Sequence, residues 1–322
     1  MSQEAFGVRG SGSRLSLVVP AYDEADNAQG FVSFYREIAA EFPDLEIELV
    51  VVDDGSTDGT PGIVRQERAA GDRIVLVELS RNFGSHAAIT AGLLECTGDV
   101  ALTLSADLQE PISAVRDFVA QWRDGADIVW GLRSVRAVKR GPQESFAQGF
   151  SKVFNATSSV PTYPKAGPSQ ILVTRKVIET LRGMPETNRN VLAMIAWVGY
   201  EQREIYFEQL PRPRGVSKWT TSKKAKLVID SFVEFSSAPV RWLTLLGLAG
   251  GALGVLLLLV AAVFMFFPGL PSGTTLIVAL ILAVGGAQLV GIGVIGEYLW
   301  RAGDDARRRP IYVAKSVETL KD

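Results

Sequence analysis

Residues 47–60, IELVVVDDGSTDGT, join an apolar run to a polar turn, and this junction decides the fold. The run IELVVV predicts a short strand, and its nearly uninterrupted apolar character is typical of a sheet that is covered on both faces. The turn DDGSTDGT follows, and Pro61 then suits the first turn of a helix. A strand, a turn and a helix in this order predict one unit of an α/β protein.

The same alternation recurs along the first 220 residues. The strand RLSLVVP precedes a helix in which Phe31, Phe34, Tyr35 and Ile38 follow the i, i+3, i+4, i+7 spacing of a buried helix face. Three further apolar runs, separated by helical segments, predict three more strands: RIVLVEL, DVALTLS and ADIVWG. The pattern predicts a doubly wound, mostly parallel α/β sheet.

Polar residues follow four of the predicted strands. In doubly wound sheets the ligand binds beyond the carboxyl ends of the strands. DDGS alone is also an ordinary turn sequence, but agreement among four strand ends predicts a binding site. No GxGxxG or GKS/T motif follows the first strand, which argues against a dinucleotide site or a P-loop. The residues concerned are Tyr22, Glu24, Asp53, Asp54, Arg81, Asn82 and Asp107.

The overall composition narrows the class of protein. The chain has 322 residues and 47% hydrophobic content, with 33 basic and 35 acidic residues and a net charge of −2. This balance gives no reason to expect a nucleic-acid partner. The single cysteine, Cys96, excludes an internal disulfide. The polar N-terminal segment does not resemble a signal peptide, so we expect the first 220 residues to stay in the cytoplasm.

Two long uncharged runs lie in the C-terminal third, at residues 242–267 and 274–296. Each is long enough for a helix across a hydrocarbon core of about 30 Å. Arginines before the first run and after the second place both ends in the cytoplasm by the positive-inside rule. The runs therefore predict a transmembrane hairpin, and the alternative is a buried helical hairpin in a soluble protein.

An amphipathic segment precedes this hairpin. Ala225, Val228, Phe232 and Phe235 share one face of a helix, and charged residues take another, which favours a helix at the membrane interface over a core-packing helix. The predicted organisation is a catalytic domain over residues 1–220, an interfacial helix over 221–240, two transmembrane helices over 241–300 and a cytoplasmic tail over 301–322.

The motifs taken together resemble the membrane-anchored, metal-dependent family 2 glycosyltransferases of the polyprenyl-phosphate group. The resemblance rests on VVPAYDEADN, VVDDGSTDGT, LSRNFGSHAAITAGL, SADLQEP, GLRSVR, PRPRGVSKW and GEYLWRAGDDARRRPIYV, in this order. It implies a GT-A type of fold and inverting transfer of a hexose from a nucleotide diphosphate sugar, with a UDP-sugar favoured, to polyprenyl phosphate. It also implies a location at the cytoplasmic face of the inner membrane, where we expect a homo-oligomer.

The resemblance assigns roles to individual residues on the donor side. Asp53 would accept a hydrogen bond from an N–H of a uracil-type base. Asp107, with Gln109 in support, would bind Mg²⁺ or Mn²⁺ through hard oxygen ligands. The remaining residues that would contact the nucleotide are Pro20, Tyr22, Glu24, Asp54 and Ala106.

The acceptor and the leaving diphosphate call for cationic side chains. The second pKa of a phosphate monoester is near about 6, so its oxygen is already anionic and needs no strong general base. Arginine makes forked contacts with phosphate. Arg214 and Lys218 would bind the diphosphate, with Asp107, Arg133 and Arg214 as the catalytic set. The group that would bind the acceptor phosphate is Arg133, Arg136, Arg140 and Ser145.

Two positions depart from the pattern of the family. Ser105 stands where relatives often carry an acid two residues before Asp107, and Ser169 aligns with another acidic position. These departures keep open a non-catalytic membrane subunit that binds nucleotide sugars, and a transferase for another lipid acceptor is a further alternative. The absence of a QxxRW motif argues against a processive synthase. His86, the only histidine, is assigned a structural role.

Overall fold

The computed structural model of the chain describes residues 12–134, 163–164, 168–184, 190–210, 273–307 and 309–320, and six single positions between 245 and 256. The chain divides into two compact units. The first contains residues 1–155, 160–220 and 308–322, and the second contains residues 156–159 and 221–307.

The first unit is built on a mixed sheet, in which the described residues form eight strands. The order across the sheet is β7-β5-β6-β4-β1-β2-β3-β8. β1 is parallel to β2 and β4, β2 is parallel to β3, and β5 is parallel to β7, whereas β6 and β8 run antiparallel to their neighbours. The strands are β1 (Arg14–Ala21), β2 (Glu46–Asp53), β3 (Ile74–Leu79), β4 (Val100–Thr103), β5 (Ile128–Arg133), β6 (Gln170–Thr174), β7 (Gln202–Phe207) and β8 (Ala314–Leu320).

Helices cover both faces of this sheet. One face packs against α1 and α4, and the other packs against α3. Phe31, Tyr35 and Ile38 of α1 are buried as their spacing predicts, while Phe34 is partly buried. The α/β class and the mostly parallel, doubly wound sheet are therefore confirmed. The helices of this unit are α1 (Ala25–Glu41), α2 (Thr60–Glu67), α3 (Ser85–Glu95), α4 (Ile112–Arg123), α5 (Arg175–Arg182) and α6 (Val191–Trp197).

Three strands of the sheet, β6, β7 and β8, were not predicted. β8 lies in the segment assigned to a cytoplasmic tail, and its sequence AKSVETL has no apolar run. Its stability comes from distant residues, because it pairs with the edge strand β3 and Arg65 of α2 forms ion pairs with both Glu318 and Glu78. Such nonlocal pairing leaves no periodic signal in the strand itself.

The second unit contains one long described helix, α7 (Gly273–Ala306). It includes the predicted second span, 274–296, and continues beyond Arg301. Within the described part of the chain, no helix combines the length and the hydropathy that a bilayer crossing requires. The interfacial segment and most of the first span lie outside the described residues, so the hairpin stays a prediction.

Gly92 of α3 lies where this helix packs closely against the sheet, so a substitution there tests that packing. A Cβ atom there would overlap Val18 Cγ1 and lie 3.0 Å from Val52 Cγ2. Overpacking of this kind costs about 1–3 kcal/mol, so Gly92→Ala should lower the free energy of unfolding, measured by urea titration. Gly62→Ala in α2 is the matched control, because no atom lies within 4 Å of its added Cβ. That control should stabilise the protein by up to about 1 kcal/mol, and equal effects of the two changes would contradict the packing described.

Candidate active site at the carboxyl end of the sheet

The loops after β1 and β2 are joined by hydrogen bonds at the carboxyl end of the sheet. The Asp23 amide donates to Ser56 Oγ at 2.8 Å, and Asp23 Oδ1 accepts from the Thr57 amide at 2.8 Å. The Glu24 amide donates to Thr60 Oγ1 at 3.0 Å. Asp23 adopts a left-handed backbone conformation with φ of 50°. The two loops therefore form one rigid rim beside the ends of the strands.

Asp53 ends β2 inside this rim and is buried. Its Oδ2 accepts from the Ser56 amide at 3.1 Å, whereas Oδ1 is buried and has no hydrogen-bond partner among the described residues. Burial raises the pKa of Asp53, and the hydrogen bonds from Ser56 lower it part of the way. Unsatisfied buried carboxylate oxygens are costly, so this one is a candidate acceptor for a ligand N–H.

Other predicted nucleotide contacts lie in the last residues of β1 and in the loop that follows it. Pro20 is opposite Val52 in the parallel register, and Tyr22 is half-buried just beyond the strand. Glu24 precedes α1, and its Oε2 accepts from Asn27 Nδ2 at 2.7 Å. The structure thus places Pro20, Tyr22 and Glu24 near the end of β2, and their contact with a nucleotide stays a prediction.

Asp54 holds the loop after β3. Its two carboxylate oxygens accept from the amides of Phe83, at 2.7 Å, and Gly84, at 2.9 Å. Gly55 follows with φ of 73°, and a Cβ there would lie 2.6 Å from the Arg81 carbonyl carbon. Burial raises the pKa of Asp54, and the two amides lower it part of the way. The observed role of Asp54 is to position this loop, and its contact with a nucleotide stays a prediction.

The segment SADLQEP, residues 105–111, is called the metal motif here for its predicted role, and it forms the loop after β4. Asp107 and Gln109 are half-buried there, and Ala106 is buried beside them. Leu108 between them has φ of 56°, and its Cδ1 would lie 2.6 Å from a Cβ at Gly30 of α1. The contact with Gly30 and the unusual backbone of Leu108 fix the loop against α1.

A buried polar network supports this loop, and the residues at its centre were missed by the sequence analysis. Glu110 accepts from Ser105 Oγ at 2.7 and 2.6 Å, from the Ser105 amide at 3.2 Å and from Gln170 Nε2 at 2.5 Å. Thr103 Oγ1 donates to Gln170 Oε1 at 3.2 Å. Burial raises the pKa of Glu110, and its donors lower it part of the way. The only signal in the sequence was a second acid in DLQEP.

The metal motif suits a divalent cation that the substrate helps to bind. No cluster of three or more His, Cys, Asp or Glu residues that could hold a metal occurs in the described part of the chain. Asp107 and Gln109 offer a carboxylate and an amide oxygen, which are ligands that Mg²⁺ and Mn²⁺ accept. Mg²⁺ commonly takes one or two carboxylates and completes its shell with water and substrate phosphates, which this donor set matches.

Among the predicted acceptor residues, the structure describes Arg133. It ends β5 at the carboxyl end of the sheet and is exposed. No hydrogen bond or ion pair to another described residue engages its guanidinium. The other cationic or hydroxyl positions of the prediction lie outside the described residues: Arg136, Arg140, Ser145, Arg214 and Lys218.

Two further contacts connect neighbouring segments to the site. The Leu210 amide donates to the Gln109 carbonyl at 2.9 Å, which connects the residues after β7 to the metal motif. Ser169 donates from its amide and its hydroxyl to the Gly131 carbonyl, at 2.9 and 3.1 Å. Ser169 therefore lies just before β6 at the carboxyl end of the sheet.

His86 lies in the first turn of α3 and takes no part in this network. Its Nδ1 is buried without a hydrogen-bond partner in the described part of the chain. Burial lowers the pKa of His86 to about 4, so its ring is neutral at pH 7. The residue as a whole is half-buried, and its structural role stays a prediction.

Comparison with known proteins identifies the class of enzyme. The family model for glycosyl transferase family 2 matches residues 16–167. An uncharacterized glycosyltransferase of Synechocystis sp. is 33% identical over 313 residues, which cover 95% of this chain and 96% of the relative. The bactoprenol glucosyl transferase of Shigella phage SfV is 31% identical over 308 residues, covering 94% of this chain and 98% of the relative. The chain therefore belongs to glycosyltransferase family 2 and is a transferase.

Solved structures show a weaker similarity. The mannosyltransferase PcManGT from Pyrobaculum calidifontis, in complex with GDP-Man and Mn²⁺, matches with a TM-score of 0.46 and 22% identity, covering 92% of this chain and 91% of that one. Mannosyl-3-phosphoglycerate synthase from Rubrobacter xylanophilus matches with a TM-score of 0.48 and 16% identity, covering 68% and 71%. The fold assignment accordingly rests on the sheet order of this chain.

Asp54→Ala should destabilise the loop after β3, because two backbone amides lose their acceptor. Leaving buried donors unpaired costs about 1–3 kcal/mol each, so we expect the free energy of unfolding to fall by about 2–6 kcal/mol. Asp44→Ala is the control, because it removes only an exposed ion pair with Arg123, worth about 1 kcal/mol or less. Urea unfolding checks both, and similar losses for the two variants would contradict the role given to Asp54.

Proposed function

We propose that this protein transfers a hexose from a nucleotide diphosphate sugar, with a UDP-sugar favoured, to polyprenyl phosphate. The observation that carries the proposal is the placement of a buried acceptor, Asp53, at the end of β2 and of the metal motif of Asp107 after β4, the two strands that flank β1 in one sheet. Relatives named bactoprenol glucosyl transferase, similar over most of their length, support the lipid acceptor. The GT-A type of fold implied by the resemblance agrees with the observed α/β sheet.

Asp53 supplies the contact that selects the base. Its Oδ1 accepts from an N–H of a uracil-type ring, which satisfies the buried oxygen. Pro20, Tyr22 and Glu24 line the base and the ribose from the neighbouring strand end. The rim formed by the loops after β1 and β2 is already hydrogen-bonded, so the nucleotide meets a site that needs little reorganisation.

Asp107 and Gln109 would hold Mg²⁺ or Mn²⁺ together with the diphosphate oxygens. When bound, the cation supplies Lewis-acid stabilisation of the negative charge that develops on the leaving diphosphate. Arg214 and Lys218 bind the diphosphate from the following segment. The hydrogen bond from Leu210 to Gln109 supports this assignment, because the four residues to Arg214 extend at most about 14 Å.

The acceptor phosphate binds to Arg133 with Arg136, Arg140 and Ser145. Arg133 is exposed at the carboxyl end of the sheet and makes no ion pair with other described residues, so its guanidinium is available to an anion. The phosphate oxygen is already ionised at neutral pH and attacks the anomeric carbon directly. One direct displacement inverts the configuration at that carbon.

Membrane attachment is part of the proposal. The two uncharged runs support it, and so do the exposed apolar side chains along α7, which include Ile281, Leu289 and Leu299. We place the catalytic unit at the cytoplasmic face of the inner membrane and expect a homo-oligomer. The proposed acceptor would reach the protein from the same membrane.

The serines at positions 105 and 169 favour a second candidate, a non-catalytic membrane subunit that binds nucleotide sugars. Both serines donate to neighbouring groups, Ser105 to Glu110 and Ser169 to Gly131. Neither side chain can supply the carboxylate that relatives often carry at these two positions. This candidate binds the donor without turnover, and a transferase for another lipid acceptor turns over with a different lipid.

Transfer by the full chain in lipid nanodiscs is the direct test of this function. With Mn²⁺, labelled UDP-sugars and undecaprenyl phosphate, the wild type should form labelled lipid. Asp107→Asn should lower the rate by about 100-fold or more, because a lost charge-stabilising group typically costs that much. Asp117→Asn, an exposed change on α4, is the control and should leave the rate unchanged. Nucleotide binding without lipid product would instead support the non-catalytic candidate.

Asp53→Asn should separate base recognition from stability. Without the buried carboxylate, UDP affinity should fall by about tenfold or more, because a base N–H then meets an amide instead of a charged acceptor. The unfolding free energy at pH 7 should rise, on the order of 1 kcal/mol, because a desolvated charge is removed.

The gain in stability should depend on pH in a defined direction. The folded-state pKa of Asp53 is raised, so the charged carboxylate destabilises the folded wild type above that pKa. This destabilisation disappears as the pH falls through the folded-state pKa, because the carboxyl group becomes neutral. The difference between Asp53→Asn and the wild type should therefore shrink between pH 7 and about pH 4, near the ordinary pKa of an aspartate. Calorimetric titration with UDP and urea unfolding at both pH values check this, and unchanged UDP affinity would contradict the role of Asp53.

A further inference from the structure

Glu110 is a buried carboxylate beside the metal motif, and it has no role in the function proposed above. It is 2% exposed. Three donor groups point at its two oxygens: the hydroxyl and amide of Ser105 and the side-chain amide of Gln170. Gln170 in turn connects to Thr103, the last residue of β4. The carboxylate thus joins the end of β4, the metal loop and the start of β6.

The loop between Ser105 and Glu110 needs this support because its backbone is unusual. Leu108 has φ of 56°, a conformation that a leucine rarely adopts without constraint from its surroundings. The hydrogen bonds of Glu110 close the loop back onto Ser105, and the bond from Leu210 holds the Gln109 carbonyl from the other side. Asp107 and Gln109 lie within the loop that these hydrogen bonds hold.

We propose that Glu110 is the positioning residue of the metal motif, and that Ser105 serves it as a hydrogen-bond donor instead of serving as a metal ligand. This inference rests on the proposed function, since it takes Asp107 and Gln109 as the metal-binding pair. Both oxygens of Glu110 already accept from protein donors, which favours a supporting role over direct ligation. The serine at position 105 is then the partner that this buried acid requires.

The Glu110→Gln variant tests the inference with little change in size. A glutamine presents one acceptor oxygen and an NH₂ group, so its NH₂ would face the donors of Ser105 or Gln170. Residues that orient metal ligands typically change metal affinity by about 10–100-fold when they are replaced, and we expect a loss of that size for Mn²⁺ in the presence of UDP. Electron paramagnetic resonance of free Mn²⁺ measures the affinity in the full-length protein.

Three further variants separate positioning from general damage to the fold. Glu41→Gln on α1, which removes an exposed ion pair with Arg116, is the matched control and should bind Mn²⁺ as the wild type does. Glu110→Gln combined with Gln170→Glu exchanges the two hydrogen-bonded side chains and should restore affinity to within a few-fold. Ser105→Ala removes one donor and should give a smaller loss, which keeps the test valid if Glu110→Gln fails to fold.

The outcomes are distinguishable. Wild-type affinity for Mn²⁺ and UDP in Glu110→Gln and Ser105→Ala would overturn the positioning role and leave the proposed function intact. Failure of the exchanged pair to recover affinity, with normal unfolding, would also overturn it, because the hydrogen bond between positions 110 and 170 would then not be what maintains metal binding. Absence of Mn²⁺ binding by the wild type with UDP would overturn the proposed function and this inference with it.

Discussion

Parallel pairing of β1 with β2 on one side and with β4 on the other is the constraint on which the site depends. The register places Ala21 opposite Asp53 and Val18 opposite Thr103, so three motifs that are far apart in sequence end at the same side of the sheet. The chain must then turn back at each strand end, and the turns carry the polar groups. A change in register of one residue would move the side chains of a strand to the opposite face of the sheet and remove its last residue from the site.

Three carboxylates are buried at this end of the sheet, and they differ in how many of their oxygens accept hydrogen bonds. Asp54 has both oxygens occupied by loop amides, and Glu110 is surrounded by side-chain and backbone donors. Asp53 keeps one oxygen without a described partner. The first two stabilise the loops that they contact, whereas the third carries a desolvation cost that a ligand can relieve. This contrast separates Asp53, the candidate acceptor for a ligand, from Asp54 and Glu110, whose oxygens are already occupied.

The sequence was sufficient for the central strands and for the side of the sheet that carries the site, because apolar runs and turn residues are local signals. It did not predict β8, whose alternating polar residues are held by Arg65 and by pairing with β3. It also assigned Asp54 to the nucleotide, although both of its oxygens are engaged by Phe83 and Gly84. Glu110 was missed because its partner Gln170 is sixty residues away, and no spacing rule links them.

The pairing of β8 with β3 has a consequence for the order in which the protein can fold. β8 follows the whole of the second unit in the chain, yet it belongs to the first. During synthesis β3 therefore remains an unpaired edge of the sheet until residues 314–320 have left the ribosome. Open edges invite pairing with other chains, and Arg65 and Glu78 are polar groups that discourage such pairing until Glu318 arrives.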